Sequence, residues 1–182
     1  MITEEQYLEI ERKAGRKSEY FQGEMFAMAG ASVSHGRINS NLVALLSRQL
    51  SGSDCEVLFN DLRVKVPATG VYAYPDVLVV CGELEFSDKH RDTITNPNVI
   101  IEIMSPSTEF YDRGSKFVSY RSIPSFREYL LVAQNRIFAE HYMKQRDGGW
   151  LLHETSSGEE SISLDSIGVK FALKEAYARV QF

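Results

Sequence analysis

The chain has 182 residues, 43% of them hydrophobic and 25% charged, with a formal net charge of -5 at pH 7. That is the size of one globular domain with a sizeable core. No apolar run of about 18 residues occurs, so no spanning helix or membrane partner is expected. The acidic balance also speaks against a protein that coats nucleic acid non-specifically, which would be basic.

The opening segment MITEEQYLEI has neither a basic n-region nor an apolar h-region. It does not read as a signal peptide, and the expected location is cytoplasmic. Residues 3–13 read as a short helix, with Thr3 and Gln6 forming a capping box and Gly15 ending it. EYFQGEMFAMAG (19–30) reads as two strands joined by a turn at Gln22-Gly23, with Glu24 just past the turn. Ser34 is a good N-cap for a helix whose apolar stripe is Ile38, Leu42, Leu45 and Leu46, and Gly52 stops it.

Residues 55–60 and 62–67 read as one strand, or as two with a kink at Asn60-Asp61. ATG turns the chain and VYAYPDVLVVC returns it as an antiparallel hairpin. Pro75 fits an early strand position there, because a central one would lose a ladder hydrogen bond. Cys55 and Cys81 lack metal-ligand spacing and sit in apolar strand-like runs, which predicts buried free thiols. Residues 82–98 are polar and read as a connecting loop.

VIIEIM (99–104) is an almost continuous apolar run, as expected of a strand covered on both faces. Period-2 alternation puts Ile100, Glu102 and Met104 on one face and Val99, Ile101 and Ile103 on the other. SPST breaks the strand, and Ser107, Thr108 or Asp112 caps a helix that runs to about Ser122. REYLLVA (127–133) is another strand, residues 136–155 form a hairpin through DGG, and ESISL and VKFAL are short further strands. The order predicts an α/β (α+β) fold: one domain over 1–182, a sheet with helices packed against it and extra β-hairpins towards both termini.

Three ionisable residues sit in or beside these apolar runs: Asp76 in YPDVLVV, Glu102 in VIIEIM and Lys116 in DRGSKF. An unpaired carboxylate in a dry interior costs several kcal/mol, so Glu102 must be protonated, paired or bound to a cation. If the strands bearing Asp76 and Glu102 are neighbours, the two carboxylates converge, and a divalent ion relieves their repulsion. Hard oxygen donors without a Cys or His cluster favour Mg²⁺ or Mn²⁺. Lys116 then supplies an ammonium that orients water and offsets charge on a phosphoryl group. Spacing alone leaves a second reading open, in which Glu102 pairs structurally with Lys116 or Arg113.

The sequence resembles the bacterial Uma-two family of endonucleases, within the PD-(D/E)xK restriction-endonuclease-like superfamily. The likeness covers nearly the whole chain. It is carried by YLEIERKAGRKSEYFQGEMFAMAGASVSHGRINSNL, YPDVLVVCGE, NPNVIIEIMSPSTEFYDRGSKFVSYRSIPSFREYLLV and the hairpin ending in GGW. It implies a four-stranded mixed sheet flanked by helices, divalent-metal dependence and hydrolysis of DNA, with no organic cofactor. Residue by residue, Asp76 and Glu102 are the implied metal ligands. The superfamily's lysine, two positions after the glutamate, is here Met104, and Lys116 is its replacement from the following helix. The resemblance also makes Glu24 a candidate third carboxylate and metal ligand. His35, at a helix N-terminus that favours anions, is a candidate base or phosphate contact, or a structural histidine. Asp61 and Asp112 read as turn and cap residues, and Arg113, Arg121 and Lys65 as phosphate contacts or solvated charge.

The leading expectation is thus a Mg²⁺-dependent DNA endonuclease. The alternatives are a binding module that keeps the fold without activity, which Met104 supports, and a phosphodiesterase acting on RNA or a nucleotide. Restriction-like folds often act as dimers, and residues 136–164 offer an interface for a homodimer by fold-level analogy.

Overall fold

The computed structural model describes residues 1–59 and 61–182. Helix α1 (Glu4–Glu11) begins at the expected capping box: Gln6 N–H donates to Thr3 Oγ1 at 3.2 Å, and Thr3 N–H to Gln6 Oε1 at 2.9 Å. Strands β1 (Ser18–Phe21) and β2 (Glu24–Ala27) form the predicted hairpin. Gln22 and Gly23 take φ values of 48° and 88°, the two successive positive values that a tight two-residue hairpin turn requires. Helix α2 (Val33–Gln49) is capped by Ser32 rather than Ser34, since Ser32 Oγ accepts from His35 N–H at 3.1 Å. The predicted stripe of Ile38, Leu42, Leu45 and Leu46 is buried.

The next stretch is one antiparallel hairpin that bends from one sheet into another. Strand β3 (Cys55–Phe59) pairs with β6 (Val77–Cys81), while β4 (Arg63–Val66) pairs with β5 (Val71–Ala73). The bend on the return arm falls at residues 74–76, where Pro75 has no N–H for a ladder. On the outgoing arm, the predicted kink at Asn60-Asp61 lies partly outside the described residues, since Asn60 is not described. Register also corrects the prediction of free thiols. Cys55 lies directly opposite Cys81 on β3 and β6, and the two form a disulfide across 26 positions of sequence. Spacing could not reveal this, because the pairing depends on how far β6 runs back along β3.

The 82–98 connection carries a two-residue strand, β7 (Thr93–Ile94), parallel to β4. It is anchored rather than plain loop: Arg12 of the α1 C-cap reaches Asp88 and Asp92, and Arg63 of β4 also pairs with Asp92. Strand β8 (Val99–Met104) runs antiparallel to β6 and parallel to β9 (Glu128–Ala133). The crossover between them is a continuous helical passage: α3 (Glu109–Tyr111), a π turn over Asp112–Lys116, and α4 (Phe117–Tyr120). Strands β10 (Ala139–Lys144) and β11 (Trp150–Thr155) complete a six-stranded mixed sheet in the order β11-β10-β9-β8-β6-β3. A five-stranded sheet, β2-β1-β5-β4-β7, lies beside it. Strands β12 (Ser161–Leu164) and β13 (Val169–Ala172) form a small third sheet, followed by α5 (Leu173–Ala176).

The alternation read from VIIEIM holds. Val99, Ile101 and Ile103 join Leu42, Leu46, Leu130, Val132 and the β12–β13 residues in one core. Ile100 and Met104 face the other way, into a core with Leu78, Leu131, Phe117 and Tyr120. The fold is therefore the expected mixed sheet with helices on its faces and hairpins at both ends. The four strands implied by the resemblance sit within a sheet of six. Among the described residues, no helix is long and apolar enough to cross a membrane.

Candidate active site

The β6–β8 register brings the first two residues together. Val77 faces Ile101 and Leu78 faces Ile100, so Asp76, just before the paired stretch of β6, comes alongside Glu102, just past it on β8. Glu102 shares parity with Ile100 and faces the Phe117–Tyr120 side, while Asp76 lies at the strand end, where it also meets His35 of α2. Asp76 is fixed in place because its Oδ2 accepts the Ile103 backbone N–H at 2.7 Å. That N–H is free for a side chain because residues 74–76 have left the ladder.

Lys116 approaches from above the sheet. Its ammonium lies 3.0 Å from Glu102 Oε1, 3.1 Å from Glu19 Oε1 and 3.5 Å from Asp112 Oδ1. The π turn is what aims it: this turn spans DRGSK, and its extra residue rotates Lys116 and Asp112 inward, leaving both buried. Such turns inside α-helices recur at functional sites. Tyr120, one turn on, donates its hydroxyl to the same Glu102 oxygen at 3.2 Å. Lys116 and Tyr120 thus both engage Oε1 and leave Oε2 outside their grip. Met104, at the position of the superfamily's lysine, packs into the apolar core.

Four carboxylates, Glu19, Asp76, Glu102 and Asp112, surround one lysine and one histidine. Burial pushes Glu102 well above the usual carboxylate range; Lys116 pulls it back, while Asp112, Asp76 and Glu19 add to the rise. Asp112 is raised for the same first reason. Burial disfavours the Lys116 ammonium, yet Glu102, Glu19 and Asp112 outweigh it and hold the lysine protonated. His35, on the first turn of α2, places Nε2 3.1 Å from Asp76 Oδ1. Burial lowers its proton affinity, and the Asp76 hydrogen bond and charge more than restore it, so the imidazole is raised overall.

The structure therefore brings together Asp76, Glu102, Lys116 and His35. It does not bring Glu24 with them: that residue is exposed at the start of β2, paired opposite Phe21. The early carboxylate at the site is Glu19 on β1, buried and also accepting the Tyr74 backbone N–H at 3.0 Å. Asp112, read from sequence as a cap, is a buried member of the site; its spacing four residues before Lys116 was the available signal. Tyr120 left no comparable signal. Other candidates are engaged elsewhere: Arg113 with Glu140 and Glu109, Lys65 with Glu4, and Asp61 with Lys17. Arg121 stacks over Phe117.

The donor set suits a hard cation. All four acids offer oxygen donors. Among the described residues, no three His, Cys, Asp or Glu side chains converge as a ready-made cage.

Comparison with known proteins bears on this arrangement. The Uma2 family model, described as "Putative restriction endonuclease", matches residues 4–174. Two Synechocystis proteins, both called uncharacterized, are similar. One, slr1290, is 37% identical over all of this chain and 94% of its own length; the other, sll1609, is 40% identical over 85% of this chain and 87% of its own. A crystal structure from Anabaena variabilis, titled as a putative nuclease belonging to DUF820, superposes with a TM-score of 0.81 over the whole of both chains at 14% identity, a likeness of fold.

Proposed function

Because the chain belongs to the Uma-two restriction-endonuclease family, we propose that it is a Mg²⁺-dependent endonuclease that hydrolyses phosphodiester bonds of DNA, with Mn²⁺ able to substitute. The observation that carries this reading is the juxtaposition of Asp76 and Glu102 on neighbouring strands, with the Lys116 ammonium 3.0 Å from Glu102. Asp76 and Glu102 would hold the ion, Glu102 through Oε2, the oxygen that Lys116 and Tyr120 leave unengaged. When bound, a divalent ion supplies an activated water and offsets charge on the phosphoryl group.

The chain's own residues do the rest. Lys116 and Tyr120 fix the Glu102 carboxylate through Oε1, and Ile103 N–H and His35 fix Asp76. Fixed donors aimed at developing charge need no reorganisation during the reaction. Lys116 is the permanent cation that faces a phosphoryl oxygen, in the role that a strand lysine plays elsewhere in the superfamily.

The test is a titration with Mg²⁺ and Mn²⁺ against supercoiled plasmid and single-stranded DNA, with Asp76→Asn alongside. Asparagine can still accept the Ile103 N–H, so this variant keeps the local fold while losing the charge. Metal-dependent cutting that falls at least roughly a hundredfold in the variant is the expected result. Equal cutting by both proteins would refute the assignment of Asp76. No cutting and no metal binding by the wild type would leave a binding module, the reading that Met104 favours.

A further inference from the structure

A groove of about 580 Å³ opens between the first turns of α2 and the C-terminal tail. Gly36, Arg37, Ser40, Asn41, Ala178 and Arg179 line it. Its walls are built by specific bonds. Asn41 Nδ2 donates to the carbonyls of Ala176 and Ala178, both at 2.9 Å, and Arg37 Nη1 donates to the Arg179 carbonyl at 3.0 Å. Ser34 Oγ reaches the Gln181 carbonyl at 3.3 Å. The tail is thereby clasped against α2 with the two arginine side chains exposed.

The groove is cationic. The chain carries 25 acidic and 20 basic residues, and several basic residues around the site are committed to carboxylates, Arg113 to Glu140 and Glu109, Lys65 to Glu4 and Lys17 to Asp61, while Arg121 stacks over Phe117. The groove is lined by two guanidiniums and no carboxylate. Among the described residues, neither Arg37 nor Arg179 forms an ion pair. Both the groove and the site draw on the first turns of α2: His35 contacts Asp76, and Arg37, about 200° further round the helix, lines the groove on another flank.

We propose that this groove binds the sugar–phosphate backbone of the nucleic-acid substrate away from the bond to be cut. The inference rests on the nuclease reading above and assigns its substrate contacts. Guanidinium forks match phosphate oxygens in geometry and charge. A chain of net charge -5 needs such a local cationic track to approach a polyanion at all. Contacts of this kind set register and affinity without reading sequence.

The experiment is fluorescence anisotropy with labelled duplex and single-stranded oligonucleotides, in EDTA so that no strand is cut, across a salt series. The proteins are wild type, Arg37→Ala/Arg179→Ala, and Arg48→Ala/Lys170→Ala, which removes the same charge at exposed sites outside the groove. Two phosphate contacts contribute a slope of about 1.8 in log K against log salt on duplex DNA, so between 50 and 200 mM salt the wild type should lose roughly tenfold more affinity than the groove variant. The control variant should follow the wild type. Arg179→Glu retains the carbonyl that Arg37 holds, so its weakened binding cannot come from losing the clasp. If the wild type binds and cuts while the groove variant matches it in slope and affinity, the groove assignment is overturned and the nuclease reading stands. If the wild type neither binds nor cuts nucleic acid, both are overturned.

Discussion

Replacing Lys116 by methionine tests how the site is held together. The substitution keeps most of the side-chain volume and removes the one permanent cation among Glu102, Glu19 and Asp112. At an effective dielectric of about 20, a contact of 3.0–3.5 Å is worth about 5 kcal/mol before the cost of dehydrating both ions. After that cost, removing one partner of a buried pair destabilises by about 3–5 kcal/mol.

The pH dependence follows with a definite sign. Burial already raises Glu102 in the wild type, and losing the ammonium that pulls it back raises it further, so the variant takes up more proton on folding. Stability supplied by a raised group is present at low pH and lost as pH rises. The deficit relative to wild type should therefore shrink from about 3–5 kcal/mol at pH 7 as the pH is lowered to 5. Urea denaturation at both pH values measures it, and Lys116→Met/Glu102→Gln should recover most of the loss at pH 7. A deficit below about 1 kcal/mol at pH 7, or one that grows towards pH 5, would refute the description of Lys116 as the site's buried counter-ion. Under the nuclease reading the same variant loses turnover, and Mg²⁺ should raise its denaturation midpoint more than that of the wild type.

Two further predictions concern the frame around the site. The Arg12 and Arg63 guanidiniums hold Asp92 well below the usual carboxylate range; this stability is present above an ordinary aspartate pKa of about 3.9 and is lost as pH falls. The wild-type urea midpoint should drop between about pH 4 and pH 2 more steeply than that of Asp92→Asn, and parallel curves would show that the cluster contributes nothing. Reducing the Cys55–Cys81 bond opens a loop spanning 26 positions and should lower stability by about 3.5 kcal/mol in the chain-entropy account; denaturation curves that superimpose with and without dithiothreitol would contradict it.

Much of the architecture was readable from local pattern, because local forces decide it. The Thr3–Gln6 capping box, the Gln22-Gly23 turn and the two-faced alternation of VIIEIM each follow from chain chemistry within a few residues. Asp76 and Glu102 were legible for a related reason: a charge inside an apolar strand needs a partner wherever the strand is placed. Glu19 and Glu24 show where that reasoning ends. Both lie in one short hairpin, and either could have faced the site. What selects Glu19 is the approach of the Tyr74 backbone N–H and the Lys116 ammonium from two distant segments. The Cys55–Cys81 pairing and the bending of one hairpin into two sheets were hidden for the same reason, since both depend on where partner strands return.

Lys116 joins the two kinds of legibility. A lysine on the strand, two residues after the glutamate, would be aimed by period 2 alone. Here that position holds Met104, which the apolar core takes up, and the aim must come from a helix. An ordinary α-helix advances about 100° per residue, so the direction of residue 116 is set by every residue between the strand end and itself. The π turn over Asp112–Lys116 inserts one extra residue into that count and directs both charged ends of the segment inward. Asp112 then does more than cap: four residues before Lys116, with its carboxylate 3.5 Å from the ammonium, it holds the lysine from its own helix while Glu102 and Glu19 hold it from the two sheets. A lysine with three fixed partners has little rotamer freedom left to lose, which is the condition a displaced catalytic group must meet if a helix is to replace the strand as its mount.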